Sequence, residues 1–335
     1  MRPRLLDYLV CPHCQGALVL HARGEAADGH VMRGSLSCAG CGNSHEVRDG
    51  VPRMAPDAVA PEAARTVSRF GDAWSEFDRL EDHYEDQFLG WIAPNRPESF
   101  RGERVLEAGC GKGRHSALVA DWGAEDVVAT DLGSAVDVAF RNTRDRPNVH
   151  EVQADLHQLP VALGRFDTAF SVGVLHHVPD PQDAFRAVVS RVRPRGRMIA
   201  WVYGRENNGW IIHGVNPVRK SVTSRLPSRV VQQLSRAPAA ILWAVSRGVR
   251  AAERGPLAPV GERVFYRTYL RQLSEFPFWE IHSIVHDHLT PPIAHYISRE
   301  EFERWFAEAG LEHVTIGWHN ENSWRGTGHV PDAGS

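Results

Sequence analysis

Three carboxylates and a histidine pair stand at regular intervals in the middle of the chain: Glu107, Asp131, Asp155 and His176-His177. Each follows a short apolar run. Glu107 leads into Gly109-Cys110-Gly111-Lys112-Gly113, three glycines at every second position. Such a turn lets a ligand approach the backbone with no Cβ in the way, at the positive end of the helix that follows. The spacing is neither the G-x-G-x-x-G of dinucleotide sites nor a P-loop ending in Lys-Ser/Thr. Asp131 falls about 20 residues past the loop, where an acid accepts hydrogen bonds from ribose hydroxyls. One acid at a strand end is an ordinary helix cap. Three of them in order beside a glycine loop point to a ligand held at the strand tips.

A second chemistry lies near the N-terminus. Cys11-Pro12-His13-Cys14 and Cys38-Ala39-Gly40-Cys41 are two C-x-x-C knuckles. Four thiolates in this arrangement fit a tetrahedral zinc ion, and four protein ligands leave no open position, so the zinc is expected to be structural. The segment has few apolar residues, and metal binding is expected to supply its folding energy. His282 and His286 have the i, i+4 spacing of a metal pair. No glutamate follows His282 as in a zincin, and ordinary pocket or surface histidines are the expectation there.

These residues need elements to position them. Apolar runs predict strands over 104–107, 126–131, 149–153, 166–172 and 198–203, with helices between them. Pro181 starts a helix expected to reach Arg193, and Pro194-Arg195-Gly196 is expected to turn the chain into the fifth strand. Ser298 and Glu301 form a capping box for a helix over 300–309, and two strands follow near 313–318 and 323–330. Alternation of strand and helix predicts an α/β fold: a doubly wound, mostly parallel seven-stranded sheet, with ligands at the carboxyl ends of the strands. Phe70, Trp74 and Phe77 recur at helical spacing, either as a core-packing face or as an aromatic lid. Residues 205–295 break the pattern. Their first part is basic (Arg219, Lys220, Arg225, Arg229, Arg236, Arg247, Arg250, Arg254) and reads as an amphipathic cap with a solvated basic face. The later part, with Phe265, Tyr266, Tyr269, Phe276, Phe278 and Trp279, could wall an apolar pocket.

With 38 Lys and Arg against 41 Asp and Glu, the net charge of −3 excludes a chain that binds polyanions through its overall charge. No run reaches the ~18 apolar residues of a membrane span, and no signal-peptide core follows the N-terminus, so the cytoplasm is the expected location.

The order of motifs resembles class I S-adenosylmethionine (SAM) methyltransferases from about residue 60 onward. The resemblance implies SAM as cofactor. It assigns Glu107, Gly109, Cys110, Gly111 and Gly113 to the methionine side, and Asp131 with Leu132 to ribose and adenine. Asp155 and Leu156 fall at the adenine edge, Ser171 and Gly173 at the end of strand four, and Phe70 and Trp74 on the lead-in helix. The N-terminal segment, through Leu5 to Cys14, Leu36 to Cys41 and Val47 to Met54, resembles the small zinc-ribbon proteins that accompany tRNA and translation-factor methyltransferases. The expected plan is therefore a zinc ribbon over 1–56, a linker and helical lid over 57–100, the core over 101–204 and 296–330, and a helical substrate cap over 205–295.

Methyl transfer from a sulfonium needs alignment, and a base only where the nucleophile must lose a proton early. His176, His177 and Tyr203 are the candidates for that role. Near-neutral charge and the lack of an Asn/Asp-Pro-Pro-aromatic motif favour a small-molecule acceptor. An RNA acceptor gripped by the ribbon and the basic insertion is the alternative. Two further readings are cyclisation of SAM itself and a non-catalytic scaffold. The sequence assigns no oligomeric state.

Overall fold

The computed structural model describes residues 1–24, 29–81, 83–253 and 264–332, so Arg254 of the basic series lies outside the described residues. The chain opens as a four-stranded antiparallel meander: β1 (Leu18–Ala22), β2 (Arg33–Cys38), β3 (Ser44–Arg48) and the two-residue β4 (Val51–Pro52). Residues of β3 alternate between exposed and buried, as a half-buried strand requires. Metal alone does not hold this segment together, contrary to the sequence expectation. Leu5, Leu36, Val47 and Met54 share one apolar cluster with Val152, Leu156 and Leu159 of the main domain. Spacing along the sequence shows how few these apolar residues are, but not that they have a second surface to bury against.

The meander also caps the edge of the main sheet. The Met54 amide donates to the Gln153 carbonyl at 2.8 Å. Arg53 pairs in parallel with Gln153 and forms an ion pair with Asp137 at 2.5 Å. An open edge strand invites pairing with other chains, and here the ribbon covers it.

Two helices follow, α1 (Pro61–Glu76) and α2 (Tyr84–Ile92). The main domain then alternates β5 (Arg104–Ala108), α3 (Arg114–Asp121), β6 (Asp126–Asp131), α4 (Ala135–Thr143), β7 (Val149–Gln153), β8 (Phe166–Val172), α5 (Pro181–Val189) and β9 (Val192–Tyr203). The insertion contributes α6 (Asn216–Ser221), α7 (Ser228–Glu253), α8 (Arg267–Leu273) and α9 (Phe278–Leu289). The chain closes with α10 (Arg299–Glu308), β10 (Glu312–His319) and β11 (Ser323–His329). The sheet runs β10-β11-β9-β8-β5-β6-β7. Strands β5 to β9 are parallel, and β11 is antiparallel to both of its neighbours. The expected doubly wound seven-stranded sheet is thus present. Its inner strands are buried on both faces, which is why they read as continuous apolar runs.

One boundary differs from expectation. Helix α5 ends at Val189, and Pro194-Arg195-Gly196 lies inside β9. Pairing with β8 shifts register beside it, between Phe166 and Thr168, and proline is tolerated at such an irregularity. Two helix starts follow simple capping chemistry. The Asp180 carboxylate accepts the Asp183 amide ahead of Pro181, and the Ser298 hydroxyl accepts the Glu301 amide.

In the insertion, α7 packs along α9 through a cluster that includes Ala239, Phe276 and Ile281. His282 spends its Nε2 on this contact, 2.9 Å from the Ser235 hydroxyl. The Phe77 ring packs against both histidines, with ring centres 5.5 Å from His282 and 6.0 Å from His286.

Candidate active site

Strands β5 and β8 are neighbours, and the chain winds outward from them in opposite directions. The crevice at their carboxyl ends is the switch point where open α/β sheets take ligands. A cavity of about 350 Å³ lies there. Gly109, Cys110 and Gly111 from the loop after β5 line it, with Asp131 and Leu132 from the tip of β6 and Asp155 and Leu156 beyond β7. Gly173 and His177 after β8, Tyr203 at the end of β9, and Phe70 and Trp74 of α1 complete the predicted residues that reach the wall.

The loop depends on its first glycine. Gly109 has φ +89°, and a Cβ there would stand 2.3 Å from the Val174 side chain. The carboxylate of Asp131 braces the same loop: one oxygen accepts the Gly111 amide at 3.0 Å, the other the Gly133 amide at 2.9 Å. Burial nevertheless pushes its pKa up to about 6. Its remaining lone pairs are free for hydroxyl donors, since a carboxylate offers about four acceptor positions. Burial raises the Asp155 carboxyl too, but hydrogen bonds from His157 outweigh this and the net direction is down.

Four predicted residues do not reach the cavity. Glu107 is buried behind the loop, where Ser116 donates to it and His115 Nδ1 lies at 3.1 Å. Its pKa is pushed up to about 8 by burial. Ser171 donates to the Ala108 carbonyl at 2.8 Å and so ties β8 to β5. Gly113 packs against Ala139 and Thr143. His176 is fully buried behind the wall, with its ring 4.2 Å from that of Tyr203.

His177 presents the better geometry of the pair. Its Nδ1 lies 2.8 Å from the Ile293 carbonyl. A carbonyl only accepts, so Nδ1 carries the proton and Nε2 keeps its lone pair. Burial holds its pKa at about 3, and the positive charge of Arg219 nearby acts in the same direction. Burial likewise drives the Tyr203 hydroxyl well above its ordinary value, so it stays protonated.

Lys112 and Arg114 flank the third glycine and also line the cavity. Sequence reading gave Lys112 no role of its own in the loop. Its ammonium is buried and donates to the Phe77 carbonyl and the Tyr84 hydroxyl, both at 2.8 Å. It also lies 4.7 Å from the centre of the Tyr84 ring and 5.3 Å from that of Trp74. Tyr84 in turn donates to Glu280 of α9 at 2.8 Å, so one chain of bonds joins the glycine loop to the insertion. Tyr269 and Gln272 of α8, Ser283 and Asp287 of α9, His319 at the end of β10, and Asn320 and Asn322 in the turn after it complete the far wall. The aromatic content of the insertion was the sequence signal for Tyr269. The amides after β10 carried none.

In the ribbon, Sγ atoms of Cys11, Cys14, Cys38 and Cys41 all lie within 4.8 Å of one another. The Cys11–Cys41 and Cys14–Cys38 separations are 3.6 and 3.4 Å. Tetrahedral zinc with Zn–S near 2.3 Å needs sulfurs about 3.8 Å apart, so the donor set fits.

Family models match this chain in two places: a methyltransferase domain over residues 106–200 and a Trm112p-like protein over residues 2–50. The chain carries a SAM-dependent methyltransferase domain behind a Trm112p-like zinc ribbon. A tRNA U34 carboxymethyltransferase from Pseudoalteromonas atlantica is 32% identical over 105 residues, 30% of this chain and 32% of its own. A ubiquinone biosynthesis O-methyltransferase from Pectobacterium atrosepticum is 30% identical over 154 residues, 44% of this chain and 61% of its own. The match thus spans about a third of the tRNA relative's length. A solved complex of the Haloferax volcanii Trm112 methyltransferase activator with a methyltransferase is 16% identical, with TM-score 0.46, covering 81% of this chain and 99% of that one. Several further relatives of the methyltransferase domain carry the tRNA U34 name. Their joint occurrence with a Trm112p-like segment overturns the small-molecule acceptor, and the small-molecule partner, that charge and motif content led us to expect. Net charge was a poor guide because a short basic surface or a shaped pocket can bind RNA inside a near-neutral chain. Among the described residues, no helix is long and apolar enough to cross a membrane.

Proposed function

We propose that this chain is an RNA methyltransferase that modifies a base of tRNA in the cytoplasm. The observation that carries the reading is the wall of the cavity beyond His177. There the rings of Tyr203 and Tyr269 stand with the amides of Gln272, Asn320 and Asn322. Aromatic faces stack a base taken out of its strand, and amides read its Watson–Crick edge. The tRNA relatives and the Trm112p-like segment support the same assignment.

In this reading the glycine loop and Asp131 hold SAM by its methionine and ribose ends, and Asp155 and Leu156 border the adenine. Phe70 and Trp74 close over the ligand from α1. Glu107, Gly113 and Ser171 shape the loop from behind. When bound, SAM supplies an electrophilic methyl group on a sulfonium. The chain's own contribution is alignment, which alone can supply several kcal/mol. His177 offers Nε2 as a hydrogen-bond acceptor. With its pKa near 3 it accepts a full proton poorly, so it positions the acceptor more than it deprotonates it. Tyr203, its ring stacked on those of His288 and Tyr296, acts as a neutral donor, and His176 supports it from behind.

The test is incubation with methyl-tritiated SAM and bulk tRNA, followed by mass analysis of the nucleosides. Label in RNA that is lost in Asp131→Ala and strongly reduced in Tyr269→Ala supports the reading. Label appearing in phenolic or quinone acceptors, with none in RNA, overturns it.

A further inference from the structure

Residues 207–252 contain seven arginines or lysines and no aspartate or glutamate, within a chain whose net charge is −3. The sequence predicts that this segment turns its apolar side inward and a basic face outward. Its outer face carries both characters. Twelve large apolar side chains are exposed among the described residues, and seven of them lie in this segment.

The longest element of the segment is α7, 26 residues. At 1.5 Å per residue it is about 39 Å long. Val230, Leu234, Ile241 and Val245 fall on one stripe at helical spacing, with Leu234 55% and Ile241 66% exposed. Arg229 and Arg236, seven residues apart, form a second row along the other edge of the same exposed side, with Gln233, Ala237, Ala240 and Ala244 between the two rows. Lys220 and Arg225, just ahead of α7, are exposed as well. Among the described residues, none of these four cations has an ion-pair partner. Helix α9 lies between α7 and the cavity, so the outer face of α7 stays open when the cavity is filled.

We propose that this face of α7 docks on the surface of an anionic phospholipid bilayer. An exposed side with an aliphatic row along one edge, arginines along the other and only small or uncharged residues between them can lie in the plane of an interface: the aliphatic row enters the acyl boundary and the cations meet lipid phosphates. An RNA backbone would use the cations but leave Leu234 and Ile241 in water, and the stripe offers no ring on which a base could stack. The proposal is independent of the acceptor assigned above.

The experiment is co-sedimentation of the full chain with large vesicles, either pure phosphatidylcholine or its mixture with phosphatidylglycerol. Leu234, Ile241, Arg229 and Arg236 are all solvent-exposed on the cap and lie outside the cavity wall, so their variants keep the fold. Binding to the anionic vesicles is expected, weakening with salt. Leu234→Ser and Ile241→Ser should each lower the partition coefficient about tenfold. Arg229→Ala with Arg236→Ala should remove the preference for anionic lipid. Cosedimentation of neither vesicle type overturns the proposal. So does unchanged binding of the serine variants. Loss of tRNA retention or of a dimer in these variants, without vesicle binding, assigns the face to RNA or to a second copy and equally overturns it. Methyl transfer to tRNA by the serine variants in free solution reports on the RNA reading separately.

Discussion

Asp131 gives the sharpest test of the cavity. Its carboxyl has a pKa raised to about 6 by burial, above its ordinary value of 3.8. The charged form is the one that accepts from ligand hydroxyls while still holding the Gly111 and Gly133 amides. Affinity for the adenosyl ligand should therefore be complete above pH 6 and fall as pH drops through it. For a single site with that pKa, binding at pH 5 is about tenfold weaker than at pH 8. Asp131→Asn removes the titration. Losing the charged acceptor for a ligand hydroxyl costs about 1.5–3 kcal/mol, or about 10- to 150-fold in affinity. The assay is isothermal calorimetry with S-adenosylhomocysteine from pH 5 to 8 on both proteins. A wild-type affinity that is flat across this range, or a variant that keeps the slope, would show that Asp131 does not face the ligand.

Other consequences follow from the same geometry. The Glu107 carboxyl, at about 8 in the folded chain against 4.5 in the unfolded one, binds its proton more tightly when folded. That stability is whole at low pH and lost as pH rises through 8, so Glu107→Gln should gain on the order of 4 kcal/mol relative to wild type between pH 5 and 9. Urea midpoints that stay parallel would refute this. Stripping the metal, or Cys38→Ser, should lower one cooperative thermal transition of the whole chain, because Leu36 and Val47 belong to the main apolar cluster. Two separate transitions in calorimetry would contradict the shared core. Gly109→Ala should abolish cofactor binding, whereas Gly102→Ala, also at positive φ but with nothing within 4 Å, should cost only about 1–2 kcal/mol. Equal effects in a denaturation series would mean that Val174 does not press on the loop.

Contacts local in sequence were readable in advance. The G-x-G-x-G turn, the acids at the strand tips and the C-x-x-C knuckles are set by a few adjacent residues: Gly109, Gly111, Asp131 and Asp155 line the cavity, and the four cysteines of the knuckles meet. The mostly parallel sheet followed from alternating apolar runs and from the family resemblance. Burial was not readable. Glu107 has the position of a ligand-facing acid, yet it turns inward to Ser116 and His115, because nothing in a strand-end pattern says which way a side chain points.

Long-range packing decided the rest. The ribbon reads as a small independent module, but its Met54 amide and Leu36 side chain are completed by residues of the main domain far along the chain, such as Gln153 and Val152. Lys112 carries no sequence signal of its own and becomes the link between loop and cap, because Tyr84 and Glu280 arrive from two other segments. Periodicity fixed that α7 is amphipathic. Which of its faces meets α9, and so which aliphatics and arginines stay in water, was set by the packing of helices distant in sequence. Sequence determines what each local segment can be, since backbone and spacing are short-range properties. Tertiary structure determines which of those surfaces find a partner, since burial is shared between segments that do not adjoin.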